Sequence, residues 1–431
     1  MTSRSLPRAA PALPSTAELL LWLSAFLPTL AIAYPLLVWP LIEGKPASEF
    51  ADFMPASPSA EPSSLNRLYF PPLFLLASAA FVLWHRALGA TVSRLPLWLM
   101  GLLLGWAGMT AFWGLEPGLV TRRLMLQITV IAPVLLPVLI ARRPEDVLRP
   151  AFWLVVLVTL VNTWMVLTHP PTKLGHAGIY PHKNVLGAVM GIDVVFALYM
   201  AATGRALERL AAAFVLVVSL GILVASKSKT SIGFAVMAPA IGLGMALAAR
   251  LVRMSPAVVM AALAGGLAFV YQLGVASQIW DFETVAGAIF GDPTLTRRTD
   301  IWDFAIKMIG ERPVLGWGYE SFWGISYEAP SYREAPGFVA KMPHAHNAYL
   351  DAWLQTGLPG LVLLVLLILA SLHAAGRVGG RPFALTIFAL TAMTYAIGHN
   401  CFESEFFHAY NIVSMMFVLA IALSVRSWSP P

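Results

Sequence analysis

The sequence predicts an all-α, polytopic integral membrane protein with about 12 transmembrane helices and one long loop that itself contains helices. Of its 431 residues, 58% are hydrophobic and only 12% are charged, which is too little polar surface for a soluble protein of this length. Apolar runs of roughly 20 residues, the length that crosses the hydrocarbon of a bilayer, recur along the whole chain. Short stretches with Arg, Lys, Pro and Gly separate these runs, as in proteins that cross a membrane many times.

The apolar runs divide the chain into three parts. We expect nine spans within residues 1–275, a folded extramembrane loop at 276–350, and three spans within 351–431. The first run, near 17–42, is too long for the core of a signal peptide and is expected to remain as an anchor. The predicted spans lie near residues 17–41, 69–86, 95–115, 124–141, 150–168, 184–203, 208–226, 230–249, 256–275, 351–373, 382–399 and 408–426.

The basic residues predict the orientation in the membrane. With the N-terminus on the cytoplasmic side, an even number of spans returns the C-terminus to that side, and every loop there is basic. Only Glu145, Asp146 and Glu208 oppose these cations. The cytoplasmic set comprises Arg4, Arg8, Arg86, Arg94, Arg142, Arg143, Arg149, Arg205, Arg209, Arg250, Arg253, Arg377, Arg381 and Arg426. This topology accounts for most of the formal charge of +6, so scattered cations of this kind do not indicate nucleic-acid binding.

The opposite, outer side carries two long connections, of about 27 residues at 42–68 and about 75 residues at 276–350. Within the longer one, apolar residues at helical spacing predict an amphipathic helix over Thr299–Gly310. The turn at Glu311–Pro313 is expected to end this helix. The longer connection is therefore the candidate for a folded extramembrane domain.

Seven cations are predicted at the outer face, against the usual bias of membrane insertion. They are Arg122, Arg123, Lys183, Lys227, Lys229, Arg297 and Arg298. Because Arg binds phosphate oxygens bidentately and Lys binds them as a point charge, the group favours a site for a phosphate or diphosphate. The alternative for each residue is ordinary contact with lipid headgroups.

Two polar turns accompany these cations. Residues Tyr180–Gly187 place polar groups, among them His182 and Asn184, at the mouth of the sixth span. The alternative there is a helix start with a proline and an asparagine cap. Residues Ser226–Ser231 form a wholly polar turn between the seventh and eighth spans, which would hold phosphate or satisfy the ends of the two helices.

The most specific polar cluster is His344–Asp351, followed by Gly357–Gly360. Histidine is the side chain whose ordinary pKa, about 6.5, suits a general base at neutral pH. A sugar hydroxyl is a weak nucleophile, so removing its proton in the transition state helps it to displace a phosphate from an anomeric carbon. Arg and Lys would neutralise the leaving diphosphate as a metal does. The cluster therefore indicates glycan transfer from a phosphate-linked donor.

Other interpretations of this cluster stay open. His344 and His346 would suit a metal ion, but no carboxylate or Cys stands at ligand spacing beside them, and Cys401 is the single cysteine. Alternatively, His346 and Asn347 cap the tenth helix. A second polar group, between the last two spans, lines the same cavity or is merely a polar hairpin loop. Its members are His399, Asn400, Glu403, Glu405 and His408.

The cluster resembles a motif of the O-antigen ligases, a branch of the bacterial O-antigen ligase and polymerase superfamily. That motif is His, then Asn, Ser or Gln, nine residues, Gly, two residues, Gly and an aliphatic residue. His346, Asn347, Gly357, Gly360 and Leu361 match it at every fixed position.

Three further segments are similar to elements of the superfamily. Arg298–Trp302 and Pro313–Gly318 match its Arg-x-x-aliphatic-Trp and Pro-aliphatic-Leu-Gly-x-Gly elements. Pro181–Gly187 resembles its Pro-Asn-x-Leu-Gly element, with two residues inserted after the proline. Ser228–Thr230 resembles its Ser-Arg-small element, with Lys229 where the family usually has Arg.

This resemblance implies a metal-independent, inverting glycosyl transfer that needs no cofactor, on the periplasmic face of the bacterial inner membrane. O-antigen polysaccharide would pass from undecaprenyl diphosphate to a sugar hydroxyl of lipid A-core. The implied partners are the undecaprenyl-diphosphate-linked polysaccharide donor, the lipid A-core acceptor and membrane lipids.

Site roles follow from the matched positions. His346 becomes the candidate general base, while His344 is expected to be only solvated or hydrogen-bonded. Arg298 and Lys229 become the candidate diphosphate ligands. The other outer cations are expected to support them in binding the diphosphate: Arg297, Lys183, Lys227, Arg122 and Arg123. The remaining supporting residues are Asn347, His182, Asn184 and His344.

Other functions stand as alternatives. Within the superfamily they are O-antigen polymerisation and the O-glycosylation of a pilin-like protein by an oligosaccharyltransferase; the length of the chain and the complete motif at His346 favour the ligase. A transporter or flippase for an anionic lipid predicts ionisable residues deep within the spans, whereas only Asp193 lies well inside one. A non-catalytic scaffold for polysaccharide assembly would have no need of His346.

Overall fold

The computed structural model of the protein describes residues 16–44, 64–85, 93–291, 295, 297–377 and 381–428. Within these ranges the regular structure is helical, apart from an isolated bridge between Thr172 and Gly175. The prediction of an all-α fold class is confirmed. Arg4, Arg8, Arg86 and most of the predicted connection 42–68 lie outside the described residues.

The helices are named here in chain order. The first, α1, combines Thr16–Ser24, Leu27–Ala33, the π-helical turn Tyr34–Val38 and Trp39–Ile42. The others are α2 (Ser64–Trp84), α3 (Arg94–Met109, continued by the 3-10 turn Thr110–Phe112), α4 (Pro117–Ile140), α5 (Pro144–Thr168), α6 (Lys183–Thr203), α7 (Ala206–Ser226), α8 (Lys229–Leu251), α9 (Pro256–Ala276), α10 (Phe282–Phe290), α11 (Arg298–Glu311), α12 (Pro330–Arg333), α13 (Ala348–Arg377), α14 (Phe383–His399) and α15 (Ile412–Val425). A further 3-10 turn, Gly337–Lys341, lies between α12 and α13.

Ten helices in the described part of the chain, α1 to α9 and α13, are long and apolar enough to cross a membrane. The helices α14 and α15, of 17 and 14 residues, are apolar but shorter. Each predicted span corresponds to one of these helices, and the predicted number of about 12 is reached when the two shorter helices are included. The chain is therefore a multi-pass membrane protein.

The centre of the bundle is formed by α6, α14 and α15. Of the most apolar stretch of α6, 78% is buried inside the protein, whereas the corresponding value for α9 is 6%. Helix α9 packs against α8 and α13 at the edge of the bundle. Large apolar side chains such as Leu68, Phe112 and Leu167 point outward, as expected where the surroundings are hydrocarbon.

The segment between α9 and α13 has a small core of its own. Helix α11 begins one residue before and ends one residue after the predicted Thr299–Gly310. Its apolar face, with Ile301, Phe304 and Met308, packs on Trp317 and Phe322. We call the end of the bundle that carries this segment, residues 277–347, the loop face.

Two glycines hold this segment against α13. Gly357 kinks α13 with a φ of 67°, and a Cβ atom there would lie 1.9 Å from the carbonyl oxygen of Val314. A Cβ atom on Gly316 would in turn lie 2.5 Å from the amide nitrogen of Gly357. Only glycine permits this approach of two backbones, because a side chain would both clash and strain the φ angle.

Candidate functional site

A cavity of about 440 Å³ lies at the loop face. Its walls come from α1, α2, the start of α6, the segment before α13, the end of α14 and the connection between α14 and α15. Aromatic rings form one part of the lining, including Tyr34, Trp39, Tyr180 and Tyr410. The polar part consists of Asn66, His182, Asn184, His344, His346, His399, Glu403, Ser404, Glu405 and Asn411. A cavity with apolar and polar walls suits an amphiphilic ligand.

The carboxylate of Glu403 joins three elements at the polar wall. Its Oε1 accepts hydrogen bonds from Arg298 Nη2 at 2.7 Å and from Asn184 Nδ2 at 2.9 Å. Its Oε2 lies 3.0 Å from Nδ1 of His346. The side chains of Glu403, Arg298 and His346 are only 10%, 13% and 15% exposed. Arg298 and His346 are thus brought together by one largely buried carboxylate.

His346 lies in a tight turn just before α13. Its φ is 52°, in the left-handed region, and its amide donates to Nδ1 of His344 at 3.2 Å. Asn347 is the N-cap of α13, since its Oδ1 accepts from the amides of Tyr349 and Leu350. The alternative of helix capping therefore holds for Asn347, while His346 precedes the cap and is free of that role.

The buried carboxylate of Asp351 accepts hydrogen bonds that fix the same turn. It accepts from Trp323 Nε1 at 2.7 Å and from the amide of Ala345 at 2.8 Å, and Ser404 Oγ donates to it. Ser404 Oγ also accepts from the amide of Asn347 at 3.0 Å. The turn that carries His346 is therefore fixed to both the loop segment and the α14–α15 connection.

Electrostatics set the charge states of two neighbours of His346. Burial disfavours the charged form of Glu403, but Arg298 and the hydrogen bond with His346 hold its pKa well below the ordinary value. Burial and the adjacent His346 lower the pKa of His344 well below its ordinary value. Glu403 is therefore an anion near neutral pH, and His344 is a neutral ring able to accept the amide hydrogen of His346.

A second histidine–carboxylate pair lies in the same cavity. Nδ1 of His399 is 2.7 Å from Oε2 of Glu405, and its Nε2 is 3.1 Å from Oγ of Ser231 in α8. Both ring nitrogens of His399 are thus engaged. By contrast, Nε2 of His346 has no hydrogen-bond partner among the described residues. Of the two, His346 is the one with a nitrogen left to meet a ligand.

A third cluster lies on the far side of His344. Nδ1 of His408 is 2.7 Å from Glu320, whose backbone and side chain also contact Arg123. The ring centres of His344 and His408 are 6.4 Å apart. Burial favours the neutral form of His408, but the Glu320 carboxylate beside it raises the pKa of His408 above its ordinary value. Arg123 therefore has an acidic partner within the protein.

The predicted cations differ in their surroundings. Arg298 contacts Glu403, but Arg297 is 62% exposed, pairs with Asp300 and stacks on Phe338 at 4.0 Å. The exposed Arg122 on α4 and the exposed Lys227, in a left-handed turn after α7, do not line the cavity. A shared anion site for the outer cations stays a prediction; Arg298 reaches the polar wall of the cavity through its contact with Glu403.

Two predicted lysines begin the helices that flank the site. Lys183 is the first residue of α6 and Lys229 the first of α8, and neither lines the cavity. Lys229 Nζ lies 3.7 Å from the position of a Cβ atom on Gly291 of the loop segment. At the start of α6 the N-cap is His182, whose Nδ1 accepts from the amide of Asn184. The alternative of an asparagine cap is therefore wrong, because His182 occupies that position; Asn184 lies in the first turn and donates to Glu403.

Glu403 is the main residue whose role the sequence left open. Of the two interpretations for the polar group between the last two spans, the structure supports the first: Glu403 lines the same cavity as His346, and so do His399 and Glu405. The structure also places the Glu403 carboxylate beside His346, a contact that no short sequence motif could predict. Within the described residues, no group of three or more His, Cys, Asp or Glu side chains is arranged to hold a metal ion.

Comparison with known proteins bears on this site directly. Residues 214–365, which include α8, Arg298 and His346, match the family model described as O-antigen ligase. The chain is 28% identical over 203 residues to the exopolysaccharide production protein ExoQ of Rhizobium meliloti (strain 1021), an alignment that covers 45% of each protein.

A second relative, an uncharacterized protein of Haemophilus influenzae (strain ATCC 51907 / DSM 11121 / KW20 / Rd), is 28% identical over 130 residues. That alignment covers 30% of this chain and 33% of the relative. The chain thus spans less than half the length of the curated relatives it matches. Residues 214–365 are therefore similar to the O-antigen ligase family, and they belong to a chain with a helical membrane fold.

Proposed function

We propose that this protein is an O-antigen ligase that transfers O-antigen polysaccharide from undecaprenyl diphosphate to a sugar hydroxyl of lipid A-core. The observation that carries the proposal is the contact of His346 and Arg298 with one carboxylate, that of Glu403. It gives a base and a phosphate-binding guanidinium fixed positions near each other, as displacement of a diphosphate by a hydroxyl requires. The proposed site faces the periplasm at the inner membrane, with both termini in the cytoplasm.

In the proposed reaction, the acceptor hydroxyl gives its proton to Nε2 of His346 while its oxygen bonds to the anomeric carbon of the donor sugar. The bond between that carbon and the diphosphate oxygen breaks, and the configuration inverts. Arg298 stabilises the charge that develops on the diphosphate, with Lys229 and Lys183 in supporting positions. In this scheme neither a metal ion nor a cofactor takes part, and the proton on His346 later passes to water.

A second candidate is a transfer in which the acceptor is another lipid-linked glycan. ExoQ of R. meliloti is described as an exopolysaccharide production protein, which favours polymerisation of a lipid-linked unit over its attachment to lipid A-core. The two reactions share donor chemistry, base and leaving group, so the cavity geometry supports both. They differ in the acceptor alone.

A deletion strain separates the two candidates. If the protein is a ligase, deletion removes the lipopolysaccharide ladder while polymer linked to undecaprenyl diphosphate accumulates. Loss of the polymer itself would instead assign polymerisation. An unchanged ladder together with unchanged polymer would contradict both proposals. Complementation with the wild-type chain is the control.

A further inference from the structure

Glu403 is the only described carboxylate that contacts Arg298 and His346 at once. Its three donors come from α11, from α6 and from the turn before α13, and Glu403 itself belongs to the α14–α15 connection. Hydrogen bonds between a carboxylate and a guanidinium or imidazole are about twice as strong as neutral ones. The relative position of Arg298 and His346 therefore depends on one side chain of a fourth element.

An ionised carboxylate accepts hydrogen bonds and cannot donate them. Nδ1 of His346, 3.0 Å from Glu403, must therefore carry a proton, which leaves the lone pair of a neutral ring on Nε2. The arrangement of charges around the ring agrees with this. His344 is neutral, while Arg298 and Asn184 saturate the other oxygen of Glu403. The other histidines and carboxylates that line the cavity, His399, Glu405 and His182, have partners of their own.

We propose that Glu403 is the positioning residue of this site: it fixes His346 with the proton on Nδ1 and Nε2 open to the acceptor, and it holds Arg298 beside it. This inference rests on the proposed function. Glu403 does not touch the reacting atoms in this scheme. When Nε2 takes the acceptor proton, the adjacent anion of Glu403 stabilises the imidazolium that forms.

The first test compares Glu403→Gln and Glu403→Asp with wild type in transfer by purified protein in nanodiscs. The amide of glutamine has one acceptor oxygen and donates from the other end, so it cannot receive Arg298 and His346 together. We expect a fall of about 10²-fold or more in turnover for Glu403→Gln, since misplacing the tautomer removes general-base catalysis. Glu403→Asp should restore part of it. The exposed Glu328→Gln is the control and should transfer at the wild-type rate.

The pH dependence separates positioning from a merely structural role. Removing the anion beside His346 makes the ring a weaker base, so the acid limb of the pH–rate profile should move to lower pH in Glu403→Gln. A reduced rate with an unmoved limb would assign Glu403 a structural role and overturn the proposal. Wild-type turnover in Glu403→Gln would also overturn it.

An observation that needs no activity completes the test. In protein labelled with ¹⁵N-histidine, the signal of His346, identified by its loss in His346→Ala, reports which ring nitrogen carries the proton. The proposal requires protonated Nδ1 in wild type and loss of that preference in Glu403→Gln. A wild-type signal with the proton on Nε2 would overturn it. The expected signals in a protein that transfers no lipid-diphosphate glycan would support the role of Glu403 toward His346 and contradict the proposed function instead.

Discussion

The rings of His344 and His346 lie 4.2 Å apart, yet their surroundings predict different roles. His346 presents at the cavity an Nε2 with no partner in the described part of the chain, whereas His344 uses Nδ1 to accept one backbone amide. We expect His346→Ala to reduce turnover by about 10²–10⁴-fold, the usual effect of losing a general base. His344→Ala should keep substantial activity, because a single hydrogen bond of this kind contributes about 1 kcal/mol.

Donor binding, measured separately from turnover, decides the role of His346. Binding should survive in His346→Ala, since the proposed function assigns the diphosphate to Arg298, Lys229 and Lys183. If binding is lost along with transfer, His346 is a ligand of the diphosphate and its assignment as a base is wrong. Equal losses in His344→Ala and His346→Ala would show that the turn, rather than one ring, was damaged.

Arg298 offers a test of the phosphate site that keeps the charge. Lysine cannot reproduce the planar fork of a guanidinium, which here would have to contact both Glu403 and the diphosphate. Arg298→Lys should therefore transfer at least about 10-fold more slowly than wild type. Transfer by the wild-type protein should be measured in the same preparation with and without EDTA. It should survive EDTA, because the proposed reaction uses no metal ion. Full activity of the variant would remove Arg298 from the site.

At the scale of residues, the sequence predicted the types of groups better than their neighbours. His346, which carries the motif, lines the cavity, and Arg298 contacts the cavity residue Glu403. Their common partner, Glu403, lies 57 and 105 residues away along the chain, so no local pattern could reveal the contact. The outer cations show the same limit. The distribution of basic residues predicts the membrane face on which a residue lies, but it does not predict which groups its side chain contacts. Arg297, for example, turns to Phe338.

Among the elements, the packing of the loop segment on α13 depends on backbone contact at Gly357. Its φ of 67° and ψ of −176° lie in a region that only glycine occupies readily, and a Cβ atom would meet the Val314 carbonyl. Gly357→Ala should lower the free energy of unfolding by about 3 kcal/mol or more, from strain and clash combined. Thermal unfolding in detergent measures this as a lower Tm.

Gly337 supplies the matched control for that prediction. Its φ is also positive, at 52°, but a Cβ atom there would meet nothing within 4 Å. Gly337→Ala should therefore cost only the conformational strain, about 1 kcal/mol. Equal effects of the two substitutions would mean that the approach of the loop segment to α13 contributes little.

The helices were the most predictable elements, and their mutual placement was the least. Periodicity identified α11 to within one residue at each end, because its apolar face packs on a local core. The early helices also lie near their predicted positions, although α4 begins at Pro117 rather than near 124. A hydropathy run does not show which helices are neighbours. The central position of α14 and α15, which brings Glu403 to His346, therefore had no signal in the sequence.

For the molecule as a whole, the Glu320–His408 pair predicts how stability varies with pH. Burial favours the neutral form of His408, but the Glu320 carboxylate raises the folded-state pKa of His408 above its unfolded value of about 6.5. A raised folded pKa stabilises the fold fully below the unfolded pKa, and this contribution is lost as pH rises through the folded pKa. We therefore expect His408→Gln to lower Tm more at about pH 5.5 than at about pH 8.5.

His169, which is exposed just after α5, forms no ion pair with a carboxylate in the described structure. His169→Gln is therefore the control for loss of an imidazole ring without loss of an ion pair. Its effect on Tm should be small at both pH values. An equal decrease for His408→Gln at the two pH values would show that packing, and not the ion pair, explains the effect of that residue.

The orientation of the bundle decides whether the cavity meets the substrates assigned to it. Arginines mark the connections opposite the loop face, so that end is predicted to be cytoplasmic. In a Cys401→Ser background, Glu328→Cys places a thiol on the loop segment, where Glu328 is 85% exposed, and Arg253→Cys places one in the α8–α9 connection. An impermeant maleimide added to spheroplasts should label Glu328→Cys at once and Arg253→Cys only after lysis. The reverse pattern would put His346 and Arg298 on the cytoplasmic side and so contradict transfer in the periplasm, whatever the activity of the purified protein.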